Sequence, residues 1–303
     1  MPEKSPPLEP VSRCPLCGSP ERGLHLASTF EEFSSGDFKI TDSHYGKRWH
    51  FQRCRQCGFV YADPCPGAEL LNLIYGSLED PEYGSEEEGR GANFSRILNR
   101  LERLNLTGKR LLDMGAATGL FVSIARKKGW SAEGVEPSRW AVETAERQYG
   151  VKLHLGELLS YPEKELFDVV TMLDLVEHLP NPREALEKAR RLLKPGGILV
   201  VVTPNVDSFA ARLFSGRWWH YRPPHILFFS GKTLPLFFRQ GGFSPLKVYP
   251  FHWTFSLRYL LSRFSPGKWI CDKLTPMSKL LGRLKVKLFL FDSLEAYARK
   301  EGS

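Results

Sequence analysis

The sequence predicts an α/β fold: a doubly wound, mainly parallel sheet, preceded by a small cysteine-bearing ribbon and completed by a last strand that follows a helical insertion. Three observations predict it. Between residues 110 and 203, short apolar runs alternate with helical patterns five times, the signature of strand, crossover helix and strand. The run Leu111-Leu112-Asp113-Met114-Gly115-Ala116-Ala117-Thr118-Gly119 passes from a strand through small residues into a helix start. Near the N-terminus, Cys14-Pro15-Leu16-Cys17-Gly18 and Cys54-Arg55-Gln56-Cys57-Gly58 repeat one knuckle.

At 303 residues the chain holds one α/β domain of ordinary size and a smaller module. No apolar stretch reaches the roughly 18 residues of a spanning helix. Met1-Pro2-Glu3-Lys4-Ser5-Pro6-Pro7 lacks the apolar centre of a signal peptide. These features predict a cytoplasmic protein. The formal net charge of +8 is concentrated: between His252 and Phe291, eight bases stand against one acid, Asp272.

Two residues between paired thiols, with glycine next, let a turn point both sulfurs at one ion. Cys14, Cys17, Cys54 and Cys57 are therefore expected to form a closed tetrahedral Zn2+ site, which leaves no position for water and so serves folding. Cys65 and Cys271 read as ordinary small residues. The zinc ribbon spans residues 11–66, with short strands expected at Leu24-His25-Leu26, Phe38-Lys39-Ile40, Trp49-His50-Phe51 and Phe59-Val60-Tyr61. Residues 67–92 read as a linker and N-terminal cap. A short helix near Leu70 to Tyr75 leads into a solvated acidic connector, Gly76 to Gly91, from which Tyr75 and Tyr83 can fold back over a cofactor.

The main domain is assigned to residues 93–251. Phe94, Ile97, Leu98, Leu101 and Leu104 recur at helical spacing, so a helix starts near Asn93 and packs on the sheet. Strand Arg110 to Asp113 precedes a helix from Gly119 to Lys128, and strand Ser131 to Val135 precedes a helix ending at Tyr149, stopped by Gly150. Strands follow at Val151 to Leu155 and at Phe167 to Leu173. Asn181-Pro182 reads as N-cap and first turn of the next helix. Lys194-Pro195-Gly196-Gly197 turns into the strand Ile198 to Thr203.

In such sheets the ligand sits at the carboxyl ends of the strands. Asp113 ends the first, beside Gly115, Ala116 and Gly119. Glu136 ends the second, 23 positions on, where an acid can take both hydroxyls of a ribose. The turn has fewer glycines than a dinucleotide's pyrophosphate prefers, and an adenosine without phosphates fits it better.

Here the chain resembles the class I S-adenosylmethionine-dependent methyltransferases. Leu112 to Gly119 looks like their first motif and Gly134-Val135-Glu136-Pro137-Ser138 like their ribose-binding acid. Phe167-Asp168-Val169-Val170, Asp174-Leu175-Val176-Glu177-His178-Leu179-Pro180-Asn181-Pro182 and Leu193-Lys194-Pro195-Gly196-Gly197 look like their later motifs. The resemblance implies a Rossmann-like methyltransferase sheet and S-adenosylmethionine as cofactor. Its contacts would be Asp113, Gly115, Ala116, Gly119, Glu136, Pro137 and Asp174, with Glu157 beside the adenine, Leu158 against its face and Tyr75 over it. A narrower resemblance, carried by the knuckles, Gly58 to Pro64, Thr203-Pro204-Asn205 and His225-Ile226-Leu227-Phe228-Phe229-Ser230, is to zinc-ribbon bacterial methyltransferases, many acting on sugars or glycans. The later motifs are also similar to ubiquinone-pathway O-methyltransferases. Ser293 to Lys300 resembles the family's last strand.

A hydroxyl acceptor needs a base, and Trp218-Trp219-His220-Tyr221-Arg222-Pro223-Pro224-His225 supplies candidates within a lid, residues 204–229. By resemblance to zinc-containing sugar C-methyltransferases, His225 is the catalytic histidine. Those enzymes have Glu-His, whereas Pro224 precedes His225 here, which leaves O-methylation at least as well supported as C-methylation. His178 is a second candidate, facing cofactor or substrate or serving as a hydrogen-bonded structural residue. Trp218, Trp219 and Tyr221 either stack on a sugar or pack the lid. Residues 252–303 form a basic amphipathic insertion and the final strand, and residues 255–290 suit either an interfacial helix on anionic lipid or a cover for the site. The expected acceptor is a small molecule, glycan or lipid-linked sugar. Two alternatives stand beside it: a ribosomal RNA methyltransferase whose ribbon grips nucleic acid, with only moderately dense bases to do so, and a non-catalytic cofactor-binding scaffold.

Overall fold

The computed structural model describes residues 8–39, 46–262 and 284–302. The elements, in chain order, are β1 (Arg22–Leu26), β2 (Phe51–Cys54), β3 (Val60–Ala62), α1 (Ala68–Ser77), α2 (Glu87–Leu101), β4 (Arg110–Met114), α3 (Leu120–Lys127), β5 (Ser131–Glu136), α4 (Arg139–Tyr149), β6 (His154–Leu155), β7 (Phe167–Leu173), α5 (Pro182–Leu192), β8 (Leu193–Pro204), α6 (Phe209–Phe214), β9 (Leu227–Phe228), α7 (Thr233–Gln240), β10 (Phe243–Ser256), α8 (Leu257–Ser262) and β11 (Lys285–Lys300).

Seven strands form the main sheet in the order β10-β11-β8-β7-β4-β5-β6. Strands β6, β5, β4, β7 and β8 run parallel, and β11 is antiparallel to both β8 and β10. Chain order reverses on either side of β4, so the β4 carboxyl end is the switch point where a crevice opens. The pleat explains why these runs read as continuously apolar. Leu112, Met114, Val170, Met172, Leu199 and Val201 fill one face, while Leu111, Val169, Ile198, Val200 and Val202 fill the other.

The ribbon sheet has the order β1-β2-β3-β9, so its last strand comes from far along the chain: Val60 pairs with Phe228 and Tyr61 with Leu227. Phe51, Tyr61 and Phe228, all buried, belong to the same apolar cluster as Leu112 and Met114. The core of residues 11–66 is thus continuous with one face of the main sheet.

Several expectations are corrected. Phe38-Lys39-Ile40 does not form a strand: Ser35–Phe38 is a 3-10 turn with Phe38 buried, and Ile40 lies outside the described residues. The third strand of the main sheet keeps only His154 and Leu155 because Val151 and Leu153 turn inward to pack beside Gly119 and Gly134. The connector is built rather than loose. A 3-10 turn, Pro81–Glu86, leads into α2, which starts at Glu87 instead of Asn93. Glu86 is buried because its carboxylate accepts from the Ser256 N–H at 2.6 Å and from Ser256 Oγ at 2.7 Å, tying the connector to the end of β10. Asn181 gives no side-chain cap; Pro182, at the first turn, lacks the N–H that would need one. Finally, residues 255–256 and 285–290, read as helix, extend β10 and β11 into a long antiparallel pair. The centre of that segment, 263–283, with Cys271, lies outside the described residues. Among the described residues, no helix is long and apolar enough to cross a membrane.

Gly119 shows how tightly the switch point is built. It holds φ at +74°, and a Cβ there would lie 2.9 Å from the Ala145 Cβ. Gly119→Ala is expected to cost about 1 to 3 kcal/mol through the left-handed backbone and the α3–α4 overlap. Calorimetric unfolding reads this as a melting temperature lowered by several degrees; an unchanged value contradicts the packing described.

Candidate active site

The turn after β4 is tied down by backbone bonds. Gly115, at φ +76°, and Ala116 both donate their N–H to Val135 O, at 3.0 and 3.1 Å. Ala117 takes φ +46°, uncommon for a residue with a side chain, and its N–H donates to Glu136 Oε2 at 2.9 Å, while the Ser138 N–H donates to Oε1 at 3.0 Å. Each Glu136 oxygen keeps a second lone pair for a hydroxyl donor. Burial pushes this carboxyl up to about 6, against the pull of its two N–H donors. Asp113 is buried as well, and its Oδ1 accepts from Thr171 Oγ1 at 2.6 Å. Desolvation pushes it to about 8, so it faces its surroundings largely protonated at neutral pH.

These groups border a cavity of about 440 Å3 at the strand carboxyl ends, within the size range of small-molecule sites. Gly115, Glu136, Pro137, Glu157, Leu158 and Asp174 line it from the sheet, and Tyr75 from α1. Asp113 and Ala116 line a small extension of it, and Gly119 lines neither, serving the helix packing described above. Asp174, at φ +51°, opens onto the cavity yet is ringed by protein, which pushes its carboxyl up to about 7.

The segments that follow β7 and β8 supply the opposite chemistry. His178 Nδ1 is hydrogen-bonded to Tyr75 Oη at 2.9 Å, and its ring stands edge-on to that of His225, centroids 4.9 Å apart. His225 Nδ1 contacts His220 O at 2.8 Å; a carbonyl only accepts, so Nδ1 carries the proton and Nε2 is the free acceptor. Burial first, then neighbouring positive groups, push His178 down to about 3 and His225 well below its ordinary range. Both are neutral imidazoles at neutral pH. Beneath them the carboxyl of Glu177 is held well above its usual range by burial and Asp174, and it accepts from Thr203 Oγ1 at 3.0 Å. The two tryptophans of the motif part company. Trp219 lines the cavity, whereas Trp218 and Tyr221 are buried against Phe228, so neither offers a face to a sugar.

The four knuckle cysteines converge. Their sulfurs lie within 4.8 Å of one another, with Cys14 to Cys57 at 3.7 Å and Cys17 to Cys54 at 3.5 Å. Zn–S bonds of about 2.3 Å in a tetrahedron put sulfurs about 3.8 Å apart, so the set is compatible with zinc. Gly18 and Gly58, at φ +76° and +81°, close the two turns.

Residues 87–248, more than half of the chain, match the family described as "Methyltransferase domain", and the chain belongs to that family. Its seven-stranded sheet is the class I, Rossmann-like methyltransferase fold. It is 32% identical over 111 residues to a ubiquinone biosynthesis O-methyltransferase of Pseudomonas fluorescens, covering 34% of this chain and 48% of that one. A protein of the same name from Coxiella burnetii is 28% identical over 120 residues, covering 38% and 51%. The chain thus spans about half the length of these curated relatives. A SAM-dependent methyltransferase from Archaeoglobus fulgidus superposes with a TM-score of 0.51 at 20% identity, covering 73% of this chain and all of the other, which shows the shared fold.

The cavity fits the cofactor on an independent feature. Arg90, on α2, stacks 3.6 Å from the Tyr83 ring centroid and lines the cavity, and its buried Nη1 has no hydrogen-bond partner among the described residues. That orphaned donor suits the carboxylate of a methionine moiety. Sequence reading missed Arg90 because it lies in a charge-rich run resembling solvated surface; its spacing of seven from Ile97 and four from Phe94 on one helical face was the available signal.

As a carboxylate Glu136 offers both oxygens to ribose hydroxyls, and protonation turns one of them into a donor. Cofactor affinity measured by calorimetry is therefore expected to fall as pH drops through about 6, and Glu136→Gln to weaken binding roughly tenfold or more and flatten that dependence. Wild-type affinity in the variant contradicts the ribose assignment.

Proposed function

We propose that this protein transfers a methyl group from S-adenosylmethionine to a hydroxyl of a small-molecule or glycan acceptor, including a lipid-linked sugar. The observation that carries this reading is one cavity with two chemistries: strand-end acids and Arg90 at one set of walls, neutral imidazoles of His178 and His225 at another. Glu136 would hold the ribose hydroxyls, Leu158 and Glu157 the adenine, and Arg90 the methionine carboxylate. The sulfonium of the bound cofactor supplies an electrophilic methyl. The chain's work is then to align the acceptor and exclude water.

His225 Nε2 is placed to accept a hydrogen bond from an acceptor hydroxyl, and Tyr75 fixes the ring of His178 beside it. Oxygen is favoured over carbon by Pro224 in the place of an acid, and by the O-methyltransferases among the relatives. The four cysteines would hold a structural Zn2+. A lipid-linked acceptor accords with a second feature: Phe209, Leu213 and Phe214 of α6 and Phe289 and Phe291 of β11 are exposed, with Lys285 and Lys287 on the same strand. Apolar side chains among bases suit peripheral contact with anionic lipid.

The direct test incubates the protein with methyl-labelled S-adenosylmethionine and separated RNA, nucleotide-sugar, quinone-precursor and lipid-linked glycan fractions. Label in a glycan or small-molecule fraction is expected; label confined to RNA, or none, overturns the proposal. His225→Ala is expected to slow transfer about 100-fold without changing cofactor affinity, and undiminished turnover removes the residue from the site.

A further inference from the structure

Where β10 and β11 separate from regular pairing, the structure places a carboxylate that nothing in the motifs predicted. Phe251 pairs with Ser293 but Trp253 pairs with Leu288, so the single residue His252 stands opposite four, Phe289 to Asp292. This is a large bulge, the device that re-aims side chains beside functional sites. Phe291 within it takes φ +50°, a left-handed backbone that a phenylalanine adopts only under constraint. The consequence is an alternation: Phe289 and Phe291 point to the exterior, while Leu290 and Asp292 line the cavity. Asp292 is 1% exposed, and its carbonyl accepts from the Asn205 N–H at 2.8 Å, which pins the bulge to the end of β8.

One oxygen of Asp292 does two tasks. Oδ2 accepts from Trp219 Nε1 at 2.8 Å and meets His220 Nε2 at 3.2 Å. Oδ1 is buried and has no hydrogen-bond partner among the described residues. A buried carboxylate with half of its accepting capacity unused is poorly solvated, so a proton carried by the adjacent imidazole offsets its charge.

This separates the three histidines of the cavity. His225 donates Nδ1 to a neutral carbonyl and is surrounded by His178, His220 and Arg222, so a proton added there meets positive or neutral groups. His178 is bonded to the neutral hydroxyl of Tyr75, and Arg222 acts on it too. His220, stacked on His225 with centroids 5.7 Å apart, holds Asp292 Oδ2 at 3.2 Å from its Nε2, whereas the acid nearest to His178 and His225 is Glu177, within 4.8 Å of their ring nitrogens, whose carboxyl burial and Asp174 hold well above its usual range. A further acid, Asp174, interacts with Asp292 and shares this end of the cavity.

We propose that His220, oriented by Asp292 from the bulge of β11, is the group that takes the acceptor's proton, with Asp292 as its positioning residue and His225 as a hydrogen-bond partner of the acceptor. This rests on the methyltransferase reading. The acceptor O–H bond breaks and its proton goes to the second ring nitrogen of His220, while Nε2–H stays on Asp292. The new O–CH3 bond forms as the S–CH3 bond of the donor breaks, and that electron pair remains on sulfur, converting the sulfonium to a thioether. The proton then leaves to solvent. Atoms and charge balance without any further reagent. The arrangement follows the general logic by which a buried acid fixes the tautomer of a base and stabilises its protonated form.

The test uses the full chain, tritium-methyl S-adenosylmethionine and a detergent-solubilised extract of lipid-linked glycans, nucleotide sugars and quinone precursors. Wild type, His220→Asn, Asp292→Asn and Asp292→Glu are compared over about pH 6 to 9. His220→Asn and Asp292→Asn are expected to lower kcat about 100-fold or more with unchanged KM and donor affinity. They should also lose the fall in rate at acid pH, and Asp292→Glu should restore part of the rate. Nitrogen NMR of the imidazoles should show His220 as the Nε2–H tautomer in wild type and a mixed tautomer in Asp292→Asn that still binds donor, a change that misfolding does not mimic. Transfer by wild type and His220→Asn alike overturns this proposal while leaving the methyltransferase reading intact. Absence of transfer by wild type overturns both.

Discussion

The short pairing of β3 with β9 is the interaction on which the two halves of the site depend. Two residues on each strand join a ribbon at the start of the chain to the segment that follows β8. The Ala62 N–H donates to Ile226 O at 2.8 Å, and the Ile226 N–H to Glu177 O at 2.9 Å, so His225 is suspended between the ribbon and the end of β7. Trp49 Nε1 reaches Pro223 O at 2.7 Å, and His25 Nε2 meets Tyr221 Oη at 2.7 Å. A lid of irregular backbone is thereby held as firmly as a strand, with its polar groups satisfied by the ribbon.

The other half of the cavity shares a core with the ribbon but takes its polar groups from elsewhere. Its parts come from parallel strand ends and from backbone amides fixed by hydrogen bonds, with Glu136 clamped by Ala117 and Ser138. This division suits a transfer reaction. The wall at the strand ends is built by the main sheet, and the wall opposite is assembled from segments around β9 and within β11. The bulge at Phe289 to Asp292 belongs to that second wall, and its strain is maintained by the neighbouring Asn205 and Trp219 bonds.

The strand-end half was legible in the sequence because its signals are local. An apolar run ending in an acid, small residues in the turn and an acid at the next strand end all lie within 24 residues, Asp113 to Glu136. The knuckles were legible for the same reason. What escaped depends on distant register. Asp292 reaches His220 only through a skipped pairing between two antiparallel strands, and no spacing within either strand reveals it. Trp218 and Trp219 are adjacent in irregular backbone, where no periodicity tells which turns inward. The charged run that contains Arg90 resembled solvent-exposed surface until Glu86 and Ser256 showed it docked.

The claim that ribbon and lid form one unit, distinct from the cofactor half, is tested most directly by hydrogen exchange on the metal-loaded protein before and after a zinc chelator. The account predicts much faster exchange at the β3–β9 seam and in the 218–229 segment after chelation, with residues 110–120 and their cofactor affinity unchanged. Exchange that stays slow in the lid, or that rises equally in the strand ends, would contradict it.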